Sequence, residues 1–375
     1  MKKEKEIITS LLEDTGITIN GSNSYDPHIH NEETYGRILR GGSLGLGESY
    51  MDGWWDVERI DEFIDRILRA GFDRKVRSPQ LLANIVWAYL ANLQSKRRAF
   101  QVAEEHYDIG NDLYEKMLDK RMTYTCGYWS PPAGEAKTLD EAQEAKLDLI
   151  CRKLGLKGGE RILDVGCGWG SFAIFAAEHY GARVVGVTVS KEQVALARAR
   201  AGNLPVEFRL QDYRDIKDET FDHVVSLGMF EHVGYKNYRT FMHIVDSVLK
   251  PGGLFLLHTI GGNRSVHKTD PWINKYIFPN GMIPSIQQIG GAIEQVFVVE
   301  DWHNFGTDYD KTLMAWFKNF NEAWPTLKGA YSERFYRMWK YYLLSNAGGF
   351  RARYTQLWQI VLSKSGVPGG YKSVR

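Results

Sequence analysis

The chain has 375 residues, which at about 150 residues per domain implies two or three domains, or one large α/β domain with an appendage. Hydrophobic residues at 43% and charged residues at 25% are values of a folded globular chain and exclude wholesale disorder, collagen-like repeats and a disulfide scaffold. The 47 Lys and Arg against 46 Asp and Glu leave a formal charge of +1, which argues against a dedicated nucleic-acid binder, and no nucleic-acid partner is expected.

The first residues, MKKEKEIITSLLEDTG, are charged and then amphipathic, without the apolar run and small-residue cleavage site of a secretory leader. With three cysteines, Cys126, Cys151 and Cys167, and no C-x-x-C pair, the expected home is a reducing cytoplasm. Gly41 to Tyr50, followed by Met51-Asp-Gly-Trp-Trp-Asp56, reads as a glycine-dense loop packed by Trp54 and Trp55. Ile60, Phe63, Ile64, Ile67 and Leu68 recur at helical spacing, as do Leu81, Leu82, Ile85, Val86, Tyr89, Leu90 and Leu93. The uncharged stretch Ser78 to Ser95 carries Pro79, Gln80, Asn84, Asn92 and Gln94, so no membrane-spanning segment is read. Arg74, Lys75 and Arg77 precede the second apolar stripe and Lys96, Arg97 and Arg98 follow it. These cations suit an anionic membrane surface, or the last three simply answer a helix C-terminal dipole.

From about Ala103 strands and helices alternate. Strands are expected over Glu160–Val165, Ala182–Val187, Val206–Leu210, Phe221–Leu227 and Leu254–His258, with helices from Ser171, Lys191 and Tyr238. Repeated units of this kind form a mostly parallel sheet covered by helices, with ligands at the carboxyl ends of the strands. Leu163-Asp-Val-Gly-Cys-Gly-Trp-Gly170 follows the first strand, and Gly166 and Gly168 let a ligand lie against bare backbone. A dinucleotide site would expect an acid at the tip of the second strand, which ends instead Gly186-Val-Thr-Val-Ser190. Asp164 is placed to hold a ligand ammonium or a loop amide.

The Asp-x-Gly-x-Gly-x-Gly form, with Leu249-Lys-Pro-Gly-Gly-Leu-Phe-Leu-Leu257 later, resembles S-adenosylmethionine-dependent methyltransferases of the seven-stranded Rossmann-like class. His106–Asp112, Met122–Trp129, Gly186–Gln193, Gln211–Arg214, Gly228–Gly234, Leu257–Gly261 and Phe305–Tyr309 together resemble the motif series of cyclopropane-fatty-acyl-phospholipid synthases, across essentially the whole chain. Thr125 and Gly127 depart from the Ser and Ala that relatives often carry there.

The resemblance implies a small helical domain over 1–100 for membrane docking and dimer contacts, and a catalytic α/β domain over 101–375 with lipid-binding insertions after residue 261. It implies transfer of a methylene from S-adenosylmethionine to a cis double bond of a phospholipid acyl chain, through a carbocation that loses a proton to bound bicarbonate. The ion's expected holders are the backbone at Cys126 and Ile260 and the side chains of Glu231, His258 and Tyr309. Expected on the cofactor are Tyr124 and Thr125 at the methionine end, with Asp164, Gly166 and Gly168, then Thr188 and Gln193 at the ribose and Gln211, Asp212 and Tyr213 at the adenine. A homodimer is implied, docked reversibly on the inner face of the cell membrane.

A carbocation needs a dry site lined by groups that stabilise positive charge without trapping it. Tyr107, Tyr124, Tyr128, Trp129, Phe230, Tyr309 and Trp316 could share that function, or pack the core. Glu231 follows one strand and His258 ends another, so both lie at the sheet's carboxyl edge; Glu231 would accept the bicarbonate hydroxyl, act as the base itself, or cap a helix. Cys126 has no triad around it and is given a backbone or packing role, His106 orients site groups or is structural, and no metal is expected. The rivals are a methyltransferase that stops at methylation and a peripheral membrane protein with a decayed cofactor fold.

Overall fold

The structure, a computed structural model, describes residues 2–71, 110–132 and 134–375. The second apolar stripe, both flanking Lys/Arg clusters, His106 and Tyr107 lie outside these residues. In chain order the elements are α1 (Lys2–Leu12), β1 (His28–Ile29), α2 (Glu33–Gly41), α3 (Ser43–Met51), β2 (Trp55–Asp56), α4 (Ile60–Arg69), α5 (Asn111–Met117), α6 (Leu139–Leu154), β3 (Arg161–Val165), α7 (Ser171–Tyr180), β4 (Arg183–Thr188), α8 (Lys191–Ala201), β5 (Val206–Leu210) and β6 (Phe221–Leu227). There follow α9 (Tyr238–Val248), β7 (Leu249–Gly262), α10 (Pro271–Tyr276), α11 (Ile286–Ile293), β8 (Val298–Asn304), α12 (Thr307–Leu327), α13 (Glu333–Arg351) and β9 (Thr355–Ser363).

The described residues form two compact units. The first comprises 2–71, 267–279 and 309–355; the second comprises 110–132, 134–266, 280–308 and 356–375. A single division near residue 100 therefore differs from the packing, because two later segments join the N-terminal helices. Within the first unit α13 packs on α4 and α3. Asp61, 1% exposed, receives Arg59 and Arg351, and Arg351 also grips Asp310. Burial alone would raise the Asp61 carboxyl, but those guanidinium bonds outweigh it and hold it below the usual range.

The glycine-dense stretch expected to be a loop is helix α3. Its glycines serve close packing: a Cβ on Gly45 would sit 2.1 Å from the Arg37 carbonyl oxygen of α2. Trp55 is buried as expected and donates its indole N–H to Leu46 O and Ser49 Oγ.

The second unit holds a seven-stranded sheet in the order β5-β4-β3-β6-β7-β9-β8. The ladders β5/β4, β4/β3, β3/β6 and β6/β7 are parallel, and β8/β9 is antiparallel. Registers Asp164↔Gly186, Thr188↔Leu210 and Leu227↔His258 bring the carboxyl ends of the parallel strands to one edge. Apolar clusters cover both faces, one around Phe172, Ala173 and Leu256, the other around Phe241, Phe255 and Ile360. This is the mostly parallel Rossmann-like arrangement expected. No helix of the described residues is long and apolar enough to cross a membrane.

Candidate active site

The loop after β3 turns at Gly166 with φ +83°, and a Cβ there would lie 2.6 Å from the Met229 side chain. Gly168, at φ +53°, faces open space instead, as a ligand's bed requires. Asp164 at the strand's end is buried, its Oδ1 has no hydrogen-bond partner among the described residues, and burial pushes its carboxyl up to about 7 against the pull of Lys146. An orphaned acceptor at this depth fits a ligand ammonium.

At the end of β4, Thr188 Oγ1 donates to Gln193 Oε1 at 2.9 Å. With its oxygen spent, the Gln193 amide keeps only its N–H groups to offer, as donors. Gln211 follows β5 and donates its backbone N–H to Thr188 O. The Asp212 carboxylate accepts a bidentate pair from Arg214 and the Arg214 backbone N–H, so it fixes the turn that presents Tyr213. Tyr213 lies edge-on to Phe241, and burial pushes its phenol up to about 12.

Glu231 follows β6 in the 3₁₀ turn Phe230–His232, and His258 lies within β7, paired with Leu227 at the end of β6; the strand expected to end at His258 runs on to Gly262. Glu231 is buried, and burial pushes it up to about 7 although its Oε1 accepts the Ile260 N–H at 2.7 Å. That amide, expected to grip an ion, is thus spent on the carboxylate, while Glu231 Oε2 has no hydrogen-bond partner among the described residues. His258 is 1% exposed and held well below its usual range by burial, with Lys146 and Lys153 adding to the effect, so it is neutral. The Gln359 amide nitrogen lies 3.3 Å from its Nδ1. With that nitrogen accepting, the proton is on Nε2, which also lacks a partner among the described residues. The site thus holds an unspent acceptor and an unspent neutral donor, the pair that an HCO₃⁻ ion, both donor and acceptor, would satisfy.

Tyr124 meets Tyr114 edge-on at 5.2 Å, and Tyr128 packs against His303 and Phe305. Phe230 is wholly in the core, stacked on Tyr238 at 4.2 Å, so packing is its role. Cys126 is buried with its thiol directed at Gly127 O. Tyr309 belongs to the first unit, where it stacks on Phe350 and lies edge-on to Trp316.

Sequence reasoning missed Gln143, Lys146 and Gln359. The first two are fully buried on α6, a helix capped by Thr138 and ended by Gly155 in the left-handed region. Their signal was present: Leu139, Ala142, Gln143, Lys146, Leu147 and Ile150 form one helical stripe, and a lysine inside such a stripe is rare unless it has a task.

A family model described as mycolic acid cyclopropane synthetase matches residues 94–360. The chain is 53% identical over 370 residues to a cyclopropane-fatty-acyl-phospholipid synthase of Escherichia coli K12, covering 98% of this chain and 95% of that one. It is 38% identical to a probable fatty acid methyltransferase of Pseudomonas putida, over 90% of this chain and 86% of that protein. Among solved structures, a mycolic acid cyclopropane synthase complexed with SAH and CTAB aligns with a TM-score of 0.65 and 32% identity, covering 71% of this chain and 98% of that one.

Proposed function

The chain belongs to the mycolic acid cyclopropane synthetase family, which makes it an enzyme of the methyltransferase class, and on that premise we propose that it converts cis double bonds of phospholipid acyl chains to cyclopropane rings. The observation that carries the reading is the 53% identity to a cyclopropane-fatty-acyl-phospholipid synthase across nearly the whole chain.

S-adenosylmethionine, when bound, supplies an electrophilic methyl group to the alkene. Asp164 Oδ1 takes the amino group of its methionine end, Gly168 leaves it room, Gly166 makes the turn beneath it, and Tyr124 and Thr125 face it. The Thr188–Gln193 pair meets the ribose, and Gln211, Asp212 and Tyr213 border the adenine. These roles agree with the unspent acceptor on Asp164 and the open face of Gly168.

Ring closure requires a proton to leave the new methyl group. We assign this to a bicarbonate ion, which would be held by the His258 Nε2–H as donor, Glu231 Oε2 as acceptor and the Cys126 backbone, and would supply the base. Ile260 contributes by aiming Glu231. Tyr124, Tyr128 and Trp129 shield the cationic intermediate from water. The enzyme works at the inner face of the cell membrane as a homodimer, with residues of the 1–100 region contributing to its docking surface.

Two measurements test the reading. With a labelled methyl donor and vesicles of unsaturated phospholipid, label enters the acyl chains; no incorporation contradicts it. In carbonate-stripped buffer the rate falls about 10-fold or more and recovers on adding bicarbonate. A rate indifferent to bicarbonate assigns the base to Glu231.

A further inference from the structure

Lys146 is fully buried on α6, yet its one hydrogen bond among the described residues runs from Nζ to Thr125 Oγ1, at 2.7 Å. Three residues earlier, Gln143 donates its amide to Thr125 O at 2.7 Å and to Thr123 O at 3.3 Å. The Tyr128 N–H reaches back to Ala142 O at 2.8 Å on the same helix. A single helical face therefore fixes the 123–128 segment, whose position is otherwise that of a loop.

The chemistry of the Lys146 contact is directional. An ammonium only donates, so it occupies a lone pair of the Thr125 hydroxyl and leaves the hydroxyl proton for some other acceptor. None of the described residues supplies one, and Thr125 is half-buried. The ammonium also polarises that O–H, which makes it a better donor toward an anion. Burial lowers Lys146 to about 8, against the opposing pull of Asp119, Cys126 and Asp164, so it remains mostly protonated at neutral pH. In the same unit Asp164 Oδ1 is an unspent, buried acceptor. An unspent donor backed by a cation and an unspent carboxylate acceptor are together complementary to an amino-acid zwitterion.

We propose that Lys146 and Gln143 are positioning residues that preset the Thr125 hydroxyl as a donor to the carboxylate at the aminoacyl end of the S-adenosyl cofactor. This rests on the functional reading above and adds a specificity device to it: recognition of the aminoacyl tail in addition to the nucleoside.

Calorimetric titration of the full-length protein with S-adenosylhomocysteine and with 5′-methylthioadenosine, which lacks the aminoacyl tail, tests it. Lys146→Met should weaken S-adenosylhomocysteine binding about 10-fold or more and leave methylthioadenosine binding unchanged. The loss should disappear in a Thr125→Val background, which carries the same selective defect, whereas Thr125→Ser should retain wild-type selectivity. The Thr125 pair keeps the test intact if Lys146→Met does not fold. Equal weakening of both ligands, no weakening of either, or a Lys146→Met effect that persists without the Thr125 hydroxyl would overturn the proposal. Failure of the unaltered protein to bind S-adenosylhomocysteine would overturn the functional reading itself.

Discussion

Glu231 and His258 are each kept inside the protein with one polar atom engaged and one unspent, an expensive arrangement without a ligand. Glu231→Gln preserves shape and removes the anionic acceptor, so turnover should fall about 100-fold or more while S-adenosylhomocysteine affinity is kept; steady-state rates and calorimetry measure both. Glu231 and Asp164 are both pushed up to about 7, so the rate should decline as pH falls through that value and the two carboxyls take up protons. Stability runs the opposite way. A carboxyl raised in the folded state holds its proton more tightly there, so its contribution is present below the ordinary value of 4.5 and is lost as pH rises through about 7. Urea midpoints of the wild type should therefore drop relative to Glu231→Gln between those two pH values, and parallel curves would refute the assignment.

At the scale of elements, β3 to β6 and the helices between them were legible because each is a short apolar run or stripe bounded by Gly, Pro or capping residues. Asp164, Glu231 and His258 were legible for the same reason: strand ends announce the binding edge. Helix α3 was not, since Gly-x-Leu-Gly-Leu-Gly reads as a turn until α2 is seen pressed against Gly45. Gln143 and Lys146 were marked by their place in the apolar stripe of α6, but what they hold was hidden, because their partners are backbone and hydroxyl groups of a segment with no periodicity of its own. Close approach also governs α13. A Cβ on Gly348 would sit 2.3 Å from the Asp61 carbonyl oxygen, whereas at Gly349 the nearest atom is 3.9 Å away. Gly348→Ala should destabilise by about 2 kcal/mol or more, and Gly349→Ala should be neutral or stabilising by up to ~1 kcal/mol through helix propensity, by urea denaturation.

At the scale of the whole molecule, a charge of +1 conceals the cationic run Lys96-Arg97-Arg98. If this run docks the enzyme on anionic bilayers, reversing the three charges should weaken vesicle binding and flatten its dependence on salt, since each basic residue near such a surface is worth about 1 kcal/mol. Unchanged co-sedimentation with anionic vesicles would remove it from the docking surface. Relatives of this chain include both a cyclopropane-fatty-acyl-phospholipid synthase and a probable fatty acid methyltransferase, and a ring and a methyl-substituted alkene add the same atoms to the lipid. Proton NMR of monounsaturated phospholipid after turnover with S-adenosylmethionine separates them. The account predicts a gain of one CH₂, loss of the alkene protons and appearance of the upfield ring-methylene signals; alkene protons persisting beside a new methyl or methylene branch would contradict it.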